Sequence, residues 1–317
     1  MINLEKIAAH PDKLRRMEGR IQERNAGWYK TLWPVMADLS HIPYAIVKSE
    51  ALSVLAYGGT GFRDSNDIDI LVSRSSLMQI DEVFKKHGFK TLLTDEHGNP
   101  RELSRAERVM MLNSHQVIPY VFELGDDVKA LDVDVNVDIY WGEYTGPRIS
   151  MDDFLSDTIN IELYGQSFKT LSILKTFVGV CLHHYREMNA PYIFKICNPF
   201  TTRMFQDIYC LYKRHMEKDL EHLLDYAQKY SIQEYIYFML YYTSLAFTDK
   251  SLSDRVKVFE TPEGKEHLNK YGLSDGERKD WRTDFFDRLD AQEIYSTIES
   301  DLSVLDKMKI DAVWGML

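Results

Sequence analysis

"GFRDSNDIDILV", residues 61–72, joins a polar loop to the start of a strand. Residues two apart in a strand share a face, so Asp67 and Asp69 present two carboxylates to the same side. The run that follows, residues 70–72, is wholly apolar and predicts that the strand enters a core. Mg²⁺ prefers oxygen ligands and keeps part of its coordination shell for water and substrate phosphates. The stretch therefore predicts a divalent metal site at the beginning of a buried strand.

The residues on either side of this stretch predict alternating strands and helices. "YAIV" (44–47) is a short strand candidate, and "EALSVLAY" (50–57) is typical of a helix with Ser49 as its N-cap and Gly58 at its end. After the acidic strand, "LMQIDEVFKKHG" predicts another helix and "FKTLL" a further strand. This alternation predicts a mixed α/β domain with the two carboxylates beside a glycine-containing loop.

A second strand with alternating acids follows in "ALDVDVNVDIYW" (130–141). Its aliphatic side chains face one way and its polar side chains face the other. A third carboxylate on a neighbouring strand would let two cations bridge the nucleophile and the leaving group of a phosphoryl transfer. The candidates for that carboxylate are Asp138, Asp134 and Asp132.

The composition indicates a folded protein with an acidic surface. With 317 residues, 44% of them hydrophobic, the chain is long enough for two domains with a buried core each. The 38 basic and 49 acidic residues give a formal charge of −11, which argues against a broad contact with duplex DNA. The three cysteines show no CxxC spacing, and no run approaches the ~18 apolar residues of a membrane helix. We therefore expect a cytoplasmic protein with neither a disulfide framework nor a membrane segment.

The second half of the sequence differs from the first in its hydrophobic periodicity. "NIELYGQSFKTL" predicts a hairpin around Gly165, and from residue 171 onward the hydrophobic period is almost entirely helical. The aromatic run "YIYFMLYY" in this half is more typical of a core helix than of a base-stacking surface. We therefore predict an N-terminal helical segment over residues 1–40, an α/β catalytic domain over 41–165 and a helical domain over 166–317.

"VKSEALSVLAYGGTGFRDSNDIDILV" (47–72), followed by "VDIYW" (137–141), resembles the uncharacterised nucleotidyltransferase family of the DNA polymerase β-like superfamily. That family typically shows Lys-Gly, a helix, an arginine four residues before Asp-apolar-Asp, and later Asp-apolar-His-Trp. The likeness extends over roughly residues 44–141. It implies a mixed sheet of the polymerase β type with flanking helices, followed by a C-terminal helical domain that closes over one side of the cleft.

The resemblance also implies metal ligands. Asp67 and Asp69 match the metal-binding pair of the family, and Asp138 matches its third acid. Asp134 would take the same place after a register shift of two residues. For Asp132 and Asp134 a solvated sheet face is the preferred interpretation.

Contacts with the triphosphate follow from the same resemblance. Arg63 matches the family arginine, and Lys48 with Ser49 matches Lys-Gly. Ser49 replaces the glycine, and its hydroxyl can contact a phosphate or cap the helix. Tyr140 stands where the family has histidine, so a base or substrate contact from that histidine is not expected.

Basic residues are concentrated in one part of this acidic chain. Residues 169–214 hold seven basic side chains against two acidic ones, which indicates a surface that faces a triphosphate or an anionic acceptor. Lys175, near the start of a predicted helix, is our choice for a triphosphate contact. His183 and His184 are adjacent in that helix, so they point about 100° apart and are not expected to chelate one ion from one face. One of them is interpreted as packed and the other as a candidate substrate contact.

The motifs and the resemblance predict a metal-dependent nucleotidyltransferase. It would use Mg²⁺ or Mn²⁺ and transfer a nucleoside monophosphate from a nucleoside triphosphate to a hydroxyl or a phosphate, with release of pyrophosphate. The net acidity favours a small-molecule, peptide or protein acceptor over a long nucleic acid. The alternatives are transfer to a tRNA or RNA end, and a non-catalytic nucleotide-binding regulatory protein.

Overall fold

The structure, a computed structural model, describes most of the chain. The described residues are 11–63, 65–91, 93–95, 100–101, 104–117, 119–125, 130–142, 148–274 and 276–314. The chain forms two compact units. The first runs to Ile139 and resumes over Ile149–Thr176, and the second takes Tyr140–Arg148 and the chain from Phe177 onward.

The first unit is built on a mixed β-sheet. Its strands in chain order are β1 (Tyr44–Val47), β2 (Ile68–Val72), β3 (Leu93–Thr94), β4 (Pro100–Arg101), β5 (Tyr120–Phe122), β6 (Leu131–Asn136), β7 (Ile159–Leu163) and β8 (Gln166–Thr170). Within the described residues, six of these strands form one sheet in the order β5-β6-β2-β1-β8-β7, and β3 pairs with β4. The strand that carries the first two acids, β2, therefore lies in the interior of the sheet.

The pairing of β2 decides which residues lie beside its acids. It is antiparallel to β1, with Val47 opposite Asp69, and parallel to β6, with Asp69 opposite Asp134. β5 is antiparallel to β6, β8 is parallel to β1, and β7 and β8 form the hairpin predicted around Gly165. The sheet is mixed, as predicted, and the two acidic sequences run side by side in the same direction.

The two strands that carry the acids differ in burial. All five residues of β2 are buried, so both faces of this strand are covered. β6 alternates between fully and partly buried residues, so Val133 and Val135 face the core and Asp132 and Asp134 face the other way. This agrees with the two-residue period of the sequence.

The first unit also contains helices. They are α1 (Pro11–Asp38), α2 (Ser49–Leu52), α3 (Leu77–Lys86), α4 (Arg105–Asn113) and α5 (Met151–Phe154). α1 contacts β8 and α3 and buries Trp28, Leu32 and Val35. The apolar stripe predicted in the N-terminal segment thus becomes part of the core of the first unit.

The helix that precedes β2 in the chain ends where the sequence predicts. α2 continues as a π-helical turn over Ser53–Tyr57, and Gly58 follows with a left-handed φ of 89°. The predicted N-cap is wrong by one residue, because Lys48 precedes the helix and Ser49 is its first residue. The Lys48 side chain makes no cap hydrogen bond, and the Ser49 hydroxyl contacts Ser65 in the loop after the helix.

The second unit is mainly helical. Its helices are α6 (Ile173–Asn189), which begins in the first unit, α7 (Pro191–Phe194), α8 (Thr202–Leu211), α9 (Leu220–Lys229), α10 (Gln233–Ala246), α11 (Lys250–Val256), α12 (Pro262–His267), α13 (Phe285–Asp290), α14 (Ile294–Ile298) and α15 (Val304–Trp314). β9 (Lys270–Tyr271) pairs with β10 (Lys279–Asp280). α10 contacts α8, α9, α11 and α12, and most of its aromatic run is buried. The interpretation of that run as core is confirmed.

The division between the units differs from the expected one. A boundary after residue 165 falls inside the β7–β8 hairpin, whereas the first unit continues to Thr176. β8 hydrogen-bonds to β1 on one side and to β7 on the other, so it belongs to the sheet. In the part of the chain that the structure describes, no helix is both long enough and apolar enough to cross a bilayer.

Candidate active site

Asp67, Asp69 and Asp134 form an acidic cluster on β2 and β6. Asp69 lies opposite Asp134 in the parallel ladder, and Asp67 directly precedes β2. Asp69 is only 4% exposed, and Asp134 is half-buried. Asp134, for which a solvated sheet face was the preferred interpretation, is thus partly buried beside Asp69.

Burial and neighbouring charges change the protonation of Asp134. Burial, together with the carboxylates of Asp69 and Asp67, raises the pKa of Asp134 to about 7. The ammonium of Lys48 and the amide of Gln116, which donates to Asp134 Oδ2 at 2.7 Å, act in the opposite direction. Neighbouring carboxylates repel one another until a proton or a cation neutralises them. A divalent cation would therefore relieve the repulsion within the cluster.

A lysine and an asparagine contact the most buried acid. Lys48 Nζ lies 2.8 Å from Asp69 Oδ1, and the lysine side chain keeps 28% of its surface exposed. Asn136 Nδ2 donates to the same oxygen at 3.1 Å. Sequence reasoning did not select Asn136, although its place two residues after Asp134 puts it on the same strand face. The contact of Lys48 brings a predicted phosphate ligand to the acidic cluster.

Two serines position the first acid. Ser49 Oγ lies 2.9 Å from Ser65 Oγ and 3.1 Å from the carbonyl oxygen of Asp67. Ser65 Oγ lies 3.0 Å from Asp67 Oδ1. The hydroxyl of Ser49 therefore ties the start of α2 to the strand with the acids. Ser65 was not predicted as a site residue, since a serine in a polar loop carries no distinguishing signal.

The backbone between β1 and α2 is strained. Lys48 has a φ of 57° and Ser49 a φ of 35°. This left-handed region is costly for residues with a Cβ and open to glycine, which the resembled family has in place of Ser49. Such strain persists where the surrounding structure holds it, and here the Lys48–Asp69 ion pair and the Ser49 hydroxyl do so.

Glu50 connects the elements around the loop between α2 and β2. Its side chain is 1% exposed and accepts hydrogen bonds from Asn25 Nδ2 at 2.6 Å, the Tyr164 hydroxyl at 2.6 Å and the Gly61 backbone N–H at 2.9 Å. These donors come from α1, the β7–β8 turn and the loop before β2. A buried carboxylate needs such donors, since an unpaired buried charge is costly. Sequence reasoning missed Glu50 because its partners are distant in the chain.

The loop between α2 and β2 depends on a glycine and an arginine. Gly61 has a φ of 80°, and a Cβ there would lie 2.5 Å from Gln22 Cγ. Arg24 Nη2 donates to the Ser65 carbonyl oxygen at 2.8 Å. Arg63 lies half-buried in this loop, four residues before Asp67. Its contact with carboxylates or phosphates stays a prediction.

Asp138 lies outside the ladder that contains the acidic cluster. β6 ends at Asn136, and Asp138 is the second residue after it and four residues after Asp134. Asp132 shares the strand face of Asp134 and pairs with Val121 of β5. The register thus places Asp134, and not Asp138, beside Asp69. Tyr140, at the position of the family histidine, belongs to the second unit.

Lys175 is held by groups outside the acidic cluster. Its side chain is buried, and its ammonium contacts the Asp157 carboxylate, the Asp153 carbonyl oxygen and Ser156 Oγ, the last at 3.0 Å. An ammonium has three hydrogens, and these contacts use them. The structure therefore does not bring Lys175 to the acids, and its triphosphate contact stays a prediction that these contacts disfavour.

The predicted basic surface is divided between the two units. Lys169 and Lys175 belong to the first unit, and the other basic residues of the 169–214 segment belong to the second. Lys195 pairs with Asp311, and Lys213 Nζ lies 3.0 Å from Asp249 Oδ2. Part of the segment's positive charge is therefore neutralised within the chain.

The chain is similar to known proteins in both sequence and structure. A family profile described as "Uncharacterised nucleotidyltransferase" matches residues 3–248. A solved structure described as an "antigenic nucleotidyltransferase-like protein from Paracoccidioides brasiliensis" is similar at 12% sequence identity with a TM-score of 0.34, covering 67% of this chain and 92% of that chain. No curated protein matches the chain significantly.

Proposed function

The chain belongs to the uncharacterised nucleotidyltransferase family, and we propose that it transfers a nucleoside monophosphate from a nucleoside triphosphate to an acceptor, with release of pyrophosphate. The observation that carries this proposal is the acidic cluster of Asp67, Asp69 and Asp134 on adjacent strands. Its negative charge and the adjacent Lys48 ammonium supply what a metal-bound polyphosphate needs.

The donor set of the cluster fits Mg²⁺ or Mn²⁺. Asp67 and Asp69 would hold both ions of a two-metal site, and Asp134 would complete the second. Bound there, the ions would neutralise charge on the polyphosphate and on the attacking oxygen. Because the pKa of Asp134 is about 7, this carboxyl is partly protonated at neutral pH without the ions. Cation binding should therefore release a proton.

We assign the third acidic ligand to Asp134 rather than to Asp138. Asp134 lies opposite Asp69, and its pKa responds to the charges of both Asp69 and Asp67. Asp138 lies four residues further, beyond the end of β6. A shift of the pairing register by four residues would be needed to place Asp138 opposite Asp69, and it would move every buried valine of β6 as well.

Phosphate contacts are assigned to the residues that surround the acids. Lys48 is partly exposed, so its ammonium can exchange Asp69 for a phosphate oxygen when a triphosphate binds. Arg63 lies in the loop before Asp67 and offers a guanidinium for bidentate phosphate binding. Ser49 positions Asp67 through its hydroxyl and is not needed as a direct phosphate ligand.

The acceptor is proposed from charge alone. A formal charge of −11 opposes the binding of a long polyanion, so a small molecule, a peptide or a protein is the favoured acceptor. Transfer to a tRNA end is the competing hypothesis. Gel-shift titration with tRNA separates the two, because tight and salt-sensitive binding would favour RNA.

Pyrophosphate release tests the proposed reaction directly. The full chain is incubated with Mg²⁺ and each labelled nucleoside triphosphate, and both pyrophosphate and self-labelling are measured. The double variant Asp67→Ala/Asp69→Ala should lose at least about 10³-fold in rate, since removing metal ligands costs several kcal/mol of transition-state stabilisation. Asp225→Ala, which changes an exposed acid on α9, is the control. Release that survives in the double variant would show that the site is elsewhere.

A further inference from the structure

A second cluster of metal-ligating side chains lies in the helical unit, on α6. One ring nitrogen each of His183 and His184 and a carboxylate oxygen of Glu187 lie within 4.8 Å of one another. His184 Nδ1 is 2.8 Å from Glu187 Oε2, and His183 Nε2 is 3.3 Å from Glu187 Oε1. The sequence predicts that these adjacent histidines do not chelate one ion from one face by themselves, and in the structure a third group, Glu187, connects them. Glu187 lies one turn later on the helix and contacts both rings, whose centroids are 5.3 Å apart.

A buried nitrogen behind this cluster points to a ligand-binding arrangement. The His184 side chain is 7% exposed, and its Nε2 makes no hydrogen bond with any described residue. Asp207 Oδ2, on α8, lies 4.0 Å from that nitrogen, and Asp207 is fully buried. A histidine that binds a metal through one ring nitrogen commonly donates the other N–H to a carboxylate. Asp207 is placed to accept that hydrogen bond after a shift of about 1 Å.

We propose that His183, His184 and Glu187 bind one divalent cation of the borderline class, represented by Zn²⁺ and Co²⁺, and that Asp207 orients His184. Two imidazoles and one carboxylate suit such cations better than they suit Mg²⁺, which prefers oxygen ligands throughout. Three protein ligands leave one tetrahedral position for water or a small anion. Its donor set differs from that of the acidic cluster, in which all the donors are carboxylate oxygens.

The ionic state of Glu187 agrees with this role. Burial by itself raises the pKa of Glu187, but the charges and hydrogen bonds of His183 and His184 outweigh it and hold that pKa well below the usual value. The Glu187 carboxylate is already within 3.3 Å of a ring nitrogen of each histidine, so the three groups converge before any cation binds.

One neighbouring cation opposes metal binding. Arg186 Nη2 lies 3.5 Å from His183 Nδ1. When a metal occupies Nε2 of a neutral histidine, Nδ1 carries the proton and no longer accepts a hydrogen bond. The Arg186 contact must then lengthen, so this residue should weaken the affinity of the site without removing a ligand.

Co²⁺ binding to the full chain tests the proposal. The chain is held in excess Mg²⁺, which occupies the oxygen ligands of the acidic cluster, and Co²⁺ is then added. We expect one Co²⁺ per chain to remain after gel filtration, with visible d–d absorption typical of tetrahedral coordination. Zn²⁺ should displace the Co²⁺ and abolish this absorption. His183→Ala and His184→Gln should each weaken Co²⁺ binding at least about tenfold.

Controls separate this site from other sources of binding. His222→Ala is the matched control, because His222 and Asp219 form an exposed histidine–carboxylate pair three residues apart on the surface, and this variant should bind as the parent does. The variant Asp67→Asn/Asp69→Asn should keep the Co²⁺ absorption. Since His184 is buried, His183→Ala at a partly exposed position decides the result if His184→Gln fails to fold. Retention of no Co²⁺ by the parent, loss of the absorption in the Asp67/Asp69 variant, or an unchanged spectrum in folded His183→Ala would overturn the proposal.

Discussion

The acidic cluster on β2 and β6 and the histidine cluster on α6 are built in opposite ways. The first brings Asp69 and Asp134, which are 65 positions apart in the chain, into one ladder, and its donors are all oxygens. The second takes its three ligands from two successive turns of one helix, and two of them are imidazoles. The first therefore depends on the register of two strands, whereas the second depends on rotamers within one helix and on a buried acid behind it.

The two clusters also differ in how their own groups interact when no cation is bound. In the acidic cluster the carboxylates repel one another, and a lysine and a proton offset part of that repulsion. In the histidine cluster the groups attract one another already, so a cation competes with existing hydrogen bonds. We expect the first cluster to be stabilised by its cation much more than the second.

Replacement of the third acid should have the largest effect. Asp134→Asn should lower the rate of pyrophosphate release about 10²-fold, because it removes a charged ligand beside Asp69, whereas Asp138→Asn should lower it less than about threefold. The two variants make the same chemical change four residues apart. Steady-state rates in saturating Mg²⁺ and triphosphate provide the measurement. The reverse ranking would contradict the β2–β6 register.

Glu50→Gln should destabilise the unit that holds the acidic cluster. Glu50 accepts three hydrogen bonds in a buried site, and an amide nitrogen would face donors there. We expect a loss of about 2–3 kcal/mol in the free energy of unfolding, measured in urea. Glu82→Gln, at an exposed position on α3, should change it by less than about 0.5 kcal/mol. Equal effects of the two variants on the free energy of unfolding would contradict the structural role of Glu50.

The affinity for Mg²⁺ should depend on pH around neutrality. Because the pKa of Asp134 is about 7, the cation must displace a proton at lower pH, and the affinity should fall about tenfold from pH 8 to pH 6. Isothermal titration calorimetry in buffers of different ionisation enthalpy measures both the affinity and the released proton. In Asp134→Asn this pH dependence should disappear, and its persistence would assign the proton to another group.

The same pKa predicts the stability of the metal-free chain. A folded-state pKa above the unfolded value of ~3.9 means that Asp134 favours folding at low pH and that this contribution is lost as the pH rises towards 7. Asp134→Asn should thus be more stable than the parent at pH 8 without metal, by on the order of 1–2 kcal/mol, since solvent screens part of the effect. Urea unfolding at pH 5 and pH 8 checks this sign.

Arg186→Gln should strengthen Co²⁺ binding to the histidine cluster about two- to fivefold. It removes a positive charge next to His183 and leaves a shorter, uncharged polar side chain. Arg203→Gln, at an exposed position on α8, is the control for the loss of charge alone. Weaker binding in Arg186→Gln would show that Nε2 of His183 is not the ligand atom.

Ser49→Gly should have the smallest effect of these changes. Glycine relieves the left-handed φ of 35°, while loss of the hydroxyl removes the contacts with Ser65 and Asp67. We expect the two effects to leave the free energy of unfolding within about 1 kcal/mol of the parent. Ser49→Ala, which loses the hydroxyl and keeps the Cβ, should be less stable than Ser49→Gly.

Features that depend on short-range periodicity were predicted from the sequence. The alternation of "DIDILV" and of "LDVDVN" identified two strands, and their mixed sheet was confirmed. The end of the helix at Gly58 and the hairpin at Gly165 followed from the backbone freedom of glycine. Each of these depends on residues within a few positions of one another.

Features that depend on distant partners are not contained in the local pattern of the sequence. The choice between Asp134 and Asp138 needed the register of β6 on β2, which no local pattern contains. Lys175 was selected for its charge, but its ammonium is engaged by Asp157 and Ser156. Glu50 was overlooked, because its donors come from three separate elements.

The sequence by itself determined that two carboxylates begin a buried strand, that glycines end the preceding helix and turn the later hairpin, and that a helical half follows. Only the tertiary structure decided which acid stands beside Asp69, that β8 belongs to the sheet, and that Glu187 and Asp207 surround His184. The physical reason is that periodicity sets the side of an element on which a residue lies, whereas strand register and helix packing set its neighbours.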